Sequence, residues 1–308
     1  MRILPFIFGR ILGALPTLFV VITVAFFLMR LAPGGPFSQE RALTPEIEAN
    51  LKAAYGLDKP LFGQYLAYLS GVVRGELGPS FKYPGFTVQE LIAQGIPVSF
   101  KLGISALIMA LILGVGLGTV AALYHNRWPD RLVMSLSVVG IVVPNFVVAP
   151  LLSLVFGVYF RLLPVGGWEG GRLENMVLPV TALALPYVAY IARLNRAAMV
   201  ELLNSSFIRT ARAKGLGGHR IILRHALQPA LVPVVSYLGP ATAGLIAGSV
   251  VIETIFGLPG IGRYFVIGAL NRDYTLVMGV VIFYASLIIV LNLLVDIVYH
   301  KLDPRMSY

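Results

Sequence analysis

Residues able to do chemistry are few in this 308-residue chain and unevenly placed. Seven bases, Arg193, Arg196, Arg209, Arg212, Lys214, Arg220 and Arg224, crowd one polar island between two long apolar stretches. The middle of the island reads F-I-R-T-A-R-A-K-G-L, from Phe207 to Leu216. Small helix-forming residues stopped by a glycine make a short rigid knob, so the chemistry on offer is docking to a soluble partner, not bond-breaking. Elsewhere reactive groups are missing. There is no G-x-x-x-x-G-K-[ST] run to cradle phosphate, and neither H-E-x-x-H nor G-x-S-x-G occurs. His125, His219, His225 and His300 stand at the margins of apolar segments and there is no cysteine, so no catalytic residue and no metal site are expected. Asp296 is the main acid inside an apolar run. It lies near the end of that run, where pairing with a base or an interfacial hydrogen bond is its expected role.

The elements that must position the island are membrane helices. Mean hydropathy is +0.84, 57% of residues are hydrophobic and 12% are charged, against about 25% charged in a soluble domain. A net charge of +10 would suggest nucleic acid in a soluble protein, but here the bases gather in short loops where they set orientation, so no nucleic-acid partner is expected. Taking roughly 20 apolar residues as the length of a crossing, six spans are expected. They run about Ile11 to Met29, Leu102 to Leu123, Leu132 to Phe160, Met176 to Ile191, Pro229 to Val251 and Leu276 to Val298. The first is longer than the apolar core of a signal peptide and exits through L-A-P-G-G-P, which favours an uncleaved anchor.

Orientation follows from the short loops. Arg2, Arg10, Arg127, Arg131, the seven island bases, Lys301 and Arg305 fall on one side, and Arg161, Arg172, Arg263 and Arg272 on the other. Both termini and the island are therefore expected in the cytoplasm. The polar stretch 32–98 is expected outside as a small helical segment that covers the outer mouth, docks an external delivery protein, or does both. Thr44 and Pro45 open one of its amphipathic pieces, with Glu46 and Glu48 near the positive end of the helix dipole. The glycine pairs Gly9 and Gly13, Gly114 and Gly118, and Gly244 and Gly248 are spaced for close helix packing. Pro144, Pro150, Pro179 and Pro186 are expected to kink or break spans. Asn145, beside Pro144, and Glu253, at the outer end of the fifth span, either face a path through the membrane or pack between helices.

These residues also carry a family resemblance. R-T-A-R-A-K-G-L (Arg209 to Leu216), followed by R-H-A-L-Q-P-A-L (Arg224 to Leu231), resembles the "EAA" cytoplasmic loop of permease subunits of binding-protein-dependent ABC importers. V-I-E-T-I-F-G-L-P-G-I-G (Val251 to Gly262), N-R-D-Y (Asn271 to Tyr274) and D-P-R (Asp303 to Arg305) are similar to blocks of the same family in the same order. M-R-L-A-P-G-G-P-F (Met29 to Phe37) and G-P-S-F-K-Y (Gly78 to Tyr83) resemble the B-type subunits of the oligopeptide and dipeptide group, and within it the oligopeptide permeases. Arg209 stands where the general loop has an acid, and Pro229 comes one residue late; both departures resemble the peptide-permease branch.

The resemblance implies an all-α fold of the type I ABC importer permease kind. Residues 1–31 would be the cytoplasmic end and first span, 32–98 the external segment, 99–299 the five-span core with its coupling loop at 193–227, and 300–308 a cytoplasmic tail. The coupling loop would use Ser205, Phe207, Arg209, Thr210, Ala211, Arg212, Lys214, Gly215 and Leu216, and the path Asn145 and Glu253. The chain would itself bind no cofactor. Its partners would be a homologous C-type subunit completing a heterodimer, two cytoplasmic ATPases that use ATP and Mg, an external peptide-binding protein, the peptide and membrane lipid. The setting would be a bacterial inner membrane crossed several times. Dipeptide, nickel or other small-solute import is the alternative within the class. An ion-coupled secondary transporter is the alternative outside it, and would need embedded acids or inverted repeats, neither of which is evident.

Overall fold

The computed structural model describes residues 3–31 and 56–302, apart from the side chains of 3–7, 11, 247–248, 295–296 and 298–302. The amphipathic piece at Thr44 and the side chain of Asp296 lie outside the described residues. The described chain is helical, with a single β-bridge between Pro79 and Thr87. Helices are what lipid allows, because a crossing segment must satisfy its own backbone N–H and C=O groups. In chain order they are α1 (Ile3–Leu31), α2 (Leu61–Val73), α3 (Val88–Leu123), α4 (Trp128–Val142), α5 (Asn145–Leu152, with π-helical turns over Ser153–Tyr159), α6 (Leu173–Leu203), α7 (Ser206–Ala213), α8 (Gly218–Phe256, with π-helical turns over Ile221–Leu227), α9 (Ile261–Leu270) and α10 (Tyr274–Leu302).

Five of these are long and apolar enough to cross a membrane: α1, α3, α6, α8 and α10. The third expected span, Leu132 to Phe160, is not one helix but α4 and α5, bent by 105°. Val143 (φ −79°, ψ 119°) and Pro144 (φ −61°, ψ 142°) are both extended. The proline ring disfavours helix at the residue before it, and the Pro144 carbonyl then caps α5 by accepting from Val147 N–H (2.9 Å) and Val148 N–H (3.2 Å). Pro179 and Pro186, by contrast, are carried within the unbroken α6.

The second expected span also begins earlier, at Val88 instead of Leu102. Its start is a capping box: Thr87 N–H donates to Glu90 Oε2 (2.8 Å) and Glu90 N–H to Thr87 Oγ1 (3.3 Å). The boundary expected at 98/99 therefore falls inside a helix.

The chain divides into two compact units, Met1–Val98 with Pro259–Val290, and Ser99–Leu258 with Leu291–Tyr308. In the first unit, Ile22 and Phe26 of α1 pack with Tyr65 of α2 and with Met278 and Ile282 of α10. A second cluster joins Val88, Leu91 and Ile92 to Ile261, Leu276 and Val280. The G-P-S-F-K-Y and N-R-D-Y blocks meet here. Asp273, wholly buried, caps α10 by accepting from Leu276 N–H (3.0 Å), and also accepts from Ser80 Oγ–H (2.5 Å) and Lys82 N–H (3.0 Å).

In the second unit, α3 and α6 run close because Gly114 and Gly118 present no side chain. A Cβ at Gly118 would lie 2.5 Å from Ala192 O, and one at Gly114 2.8 Å from Ile191. Gly244 gives similar clearance to the Tyr187 ring of α6. Gly9 and Gly13 differ, since a Cβ at either meets nothing within 4 Å in this chain.

Candidate functional site

The polar island folds into a separate helix. Helix α7 covers Ser206–Ala213, with Ser205 extended before it (φ −71°, ψ 157°) and Gly215 in the left-handed region after it (φ 76°). Gly215 N–H donates to Arg212 O (2.9 Å) and Leu216 N–H to Ala211 O (3.3 Å), the paired bonds of a Schellman end. These bonds satisfy two carbonyls the helix cannot satisfy itself. They also require a residue that accepts positive φ, which glycine does without steric cost.

The knob has two faces. Ile208 (0% exposed) and Ala211 turn inward onto Met199 of α6, Ala122 at the end of α3, and Ile221, Ala226 and Ala230 of α8. Phe207 (44% exposed), Arg209, Thr210, Arg212, Lys214 and Gly215 turn outward, while Ser205 and Leu216 are half-buried. Of the residues expected in the docking loop, Ala211 is therefore an anchor rather than a contact surface. Ile208, unmarked in the sequence analysis, is the main anchor. Its signal was available, since it stands three residues before Ala211 and so on the same helix face.

Six of the seven island bases are exposed, and Arg196 is the exception. Its Nε and Nη2 donate to Asp130 Oδ1 (2.6 Å) and Oδ2 (2.7 Å), a bidentate pair joining α6 to the first turn of α4. Asp130 is 2% exposed and also accepts from Asn126 N–H (2.8 Å), with His125 Nδ1 3.5 Å from Oδ2. Next to it, Asn195 Nδ2 donates to Val115 O and to Thr119 Oγ1 of α3, each at 2.9 Å. One base of the island is thus a structural tie between two helices.

The two residues expected along the path fare differently. Asn145 is the first residue of α5, half-buried at the 105° break. Glu253 is wholly buried in the last turn of α8, and its carbonyl accepts from Leu258 N–H (2.8 Å) at a second Schellman end built on Gly257 (φ 66°). Its burial inside one chain suits the packing role. Among the described residues no group of three or more His, Asp or Glu side chains is placed to hold a metal.

A chain of long apolar helices with a short, partly exposed helix packed on three of them is matched by known families. Residues 114–308 match the model described as "Binding-protein-dependent transport system inner membrane component", and residues 3–87 match the model of its N-terminal region. The chain belongs to this family. Among curated relatives of the family, the oligopeptide transport system permease protein OppB of Haemophilus influenzae is 55% identical over 306 residues, covering 99% of this chain and 100% of that protein. OppB of Escherichia coli K12 is 55% identical over 305 residues, with the same coverage. The dipeptide transport system permease protein DppB of Bacillus subtilis is 45% identical over 291 residues, covering 94% of each chain.

Proposed function

We propose that this chain is the permease subunit of an ATP-driven importer and forms half of the path by which oligopeptides cross the inner membrane. The observation that carries the reading is 55% identity to OppB over essentially both whole chains, against 45% to DppB of Bacillus subtilis. A homologous C-type subunit supplies the other half of the path, two ATPases that use ATP and Mg supply the force, and an external binding protein delivers the peptide. Both termini and α7 face the cytoplasm in this reading, supported by the imbalance of bases between the short loops.

The physics of α7 fits a handle. Its exposed residues are Phe207, an apolar plug, and the bases Arg209, Arg212 and Lys214, suited to an ATPase groove with an acidic rim. Its inward face is packed against α3, α6 and α8 together, so a displacement of the knob is delivered to all three spans. The Asp130 pair passes it to α4 as well, and α4 leads to the break where Asn145 stands as the path-facing residue. Close-packed interfaces transmit such shifts because they do not deform smoothly.

The test is reconstitution of this chain with its C-type subunit, ATPases and binding protein in vesicles, followed by competition of labelled pentapeptide uptake with di- and tripeptides. Preference for the longer peptides supports the reading. Exclusive competition by dipeptides favours the alternative suggested by the DppB relatives. Uptake driven by an ion gradient with no ATP would assign the chain to the secondary-transporter class.

A further inference from the structure

Helix α2 (Leu61–Val73) falls inside the stretch 32–98, expected outside the membrane, but no acidic or basic residue stands between Lys59 and Arg74. Charged residues gather only at its ends, Asp58 and Lys59 before it and Arg74 and Glu76 after it, all four exposed. The helix stops at Arg74 through a Schellman end on Gly75 (φ 80°), with Gly75 N–H donating to Val72 O (3.0 Å) and Glu76 N–H to Gly71 O (2.8 Å). At 13 residues, about 20 Å, it is too short to cross a hydrocarbon core of roughly 30 Å.

Its residues sort into three faces at helical spacing. Tyr65, Tyr68 and Val72 turn onto α1 and α10, against a cluster that holds Phe26 and Met278. Gly63, Gln64, Ala67, Ser70 and Gly71 make a second face of small and polar residues. Between these two lies a third, Phe62, Leu66 and Val73, which are 65%, 49% and 84% exposed. That stripe carries no hydrogen-bonding side chain and no charge.

The contacts of α2 set its height along α1. Arg30 stands one residue beyond the expected first span; its Nε donates to Gln64 Oε1 (2.8 Å) and its guanidinium lies 4.1 Å over the Phe26 ring. Gln64 Nε2 donates to Leu57 O (3.0 Å) and Lys59 O (2.8 Å), so the polar groups of α2 gather where α1 leaves the lipid. Tyr65 points the other way. Its hydroxyl is 2.8 Å from Thr23 Oγ1, seven residues and about 10 Å back along α1 from Arg30. Helix α2 thus packs on the last apolar turns of a crossing helix, level with Val24 and Leu28, themselves exposed.

We propose that α2 is a membrane anchor lying in the leaflet at which α1 ends, with Phe62, Leu66 and Val73 sunk among phospholipid acyl chains. Gln64, Ser70 and the charges at its two ends stay at headgroup level. Lipid is the occupant of the stripe because the stripe is level with the exposed apolar residues of a crossing helix and has a polar face beside it, the pattern of a helix in the interface plane. The stretch 32–98 is thereby tied down to the membrane at its middle, and this face of it is closed to an external delivery protein. The anchor does not depend on what the importer carries.

The chain has no cysteine, so single nitroxide labels can be placed without background. Phe62→Cys, Leu66→Cys and Glu76→Cys chains are labelled, assembled into the complete importer in phospholipid vesicles, and compared by EPR power saturation. The two relaxing agents are oxygen, which concentrates in hydrocarbon, and a water-soluble nickel chelate. The expected result is an oxygen-to-nickel collision ratio several-fold higher at positions 62 and 66 than at 76. Ratios equal to that at 76 place the stripe in water and overturn the anchor. Shielding from both agents overturns it in favour of a protein cover. Should the labelled variants not assemble, wild-type importer is irradiated in vesicles whose phospholipid carries a photoactivatable group in mid-chain, and adducts are mapped by mass spectrometry. Adducts within Leu61–Val73 support the anchor, and adducts on α1 with none on α2 overturn it.

Discussion

Gly215 offers the sharpest test of how the knob is built. Its φ of 76° holds the Schellman end of α7, and an added Cβ there would meet no atom within 4 Å. A substitution is therefore opposed by backbone conformation alone, by about 1–2 kcal/mol for an ordinary L-residue. With about 1.4 kcal/mol per tenfold change in an equilibrium constant, the native end is disfavoured roughly 5- to 30-fold relative to frayed alternatives. Fraying releases the bonds from Gly215 N–H to Arg212 O and from Leu216 N–H to Ala211 O, and with them the fixed placement of Arg212 and Lys214. Asparagine tolerates the left-handed region better than alanine, and β-branched valine tolerates it least. The expected order of binding-protein-stimulated ATP hydrolysis in reconstituted vesicles is Gly, then Asn, then Ala, then Val. Membrane insertion and yield of the complex should be unchanged, because Gly215 is exposed. Equal activity of Gly215→Ala and wild type, or Gly215→Asn falling below Gly215→Ala, would refute the reasoning from φ.

Three further outcomes follow from the packing. Gly118→Leu should separate α3 from α6 and sharply reduce folded protein, since even a Cβ would lie 2.5 Å from Ala192 O, whereas Gly13→Leu should be silent in the same size-exclusion assay unless a partner subunit packs there. Asp130→Asn removes the charge opposite Arg196 and should cost about 2–3 kcal/mol, below the 3–5 of a fully buried pair because Arg196 keeps some exposure. The measurement is thermal unfolding of the purified complex, and an unchanged midpoint would show that the tie is dispensable. Asp273→Ala strips the cap of α10 together with its bonds to Ser80 and Lys82, and should destabilise by about 1–2 kcal/mol or more, with faster proteolysis in the 78–87 loop as the readout.

Much of the architecture was legible because lipid imposes a simple rule. Runs of apolar residues of crossing length must be helices, and α1, α6, α8 and α10 sit over the expected spans. The knob was equally legible, since small residues ending in A-K-G fix both its helix and its stop. A kink or break was expected at Pro144, but its size depends on two consecutive extended residues, which a proline alone does not specify. The early start of α3 is marked by T-V-Q-E, Thr87 to Glu90, a capping box, but hydropathy alone marks only the apolar run that begins later in the helix. The Asp130–Arg196 tie could not be read at all, because its partners are 66 residues apart and Arg196 looks like its exposed neighbours. Only the packing of α4 on α6 brings them together. The same holds for the Tyr190 and Tyr237 stack, in which neither residue is unusual alone.

The central claim is that force reaches these membrane helices through α7 from ATP-hydrolysing partners. Its most direct test is uptake of a labelled pentapeptide by vesicles holding the complete importer, compared with vesicles lacking only the ATPases, each with ATP inside and with ion gradients collapsed by ionophores. The account expects uptake in the first and none in the second. Uptake by the chain and its C-type subunit alone, or uptake lost when the gradients collapse while ATP remains, would contradict it.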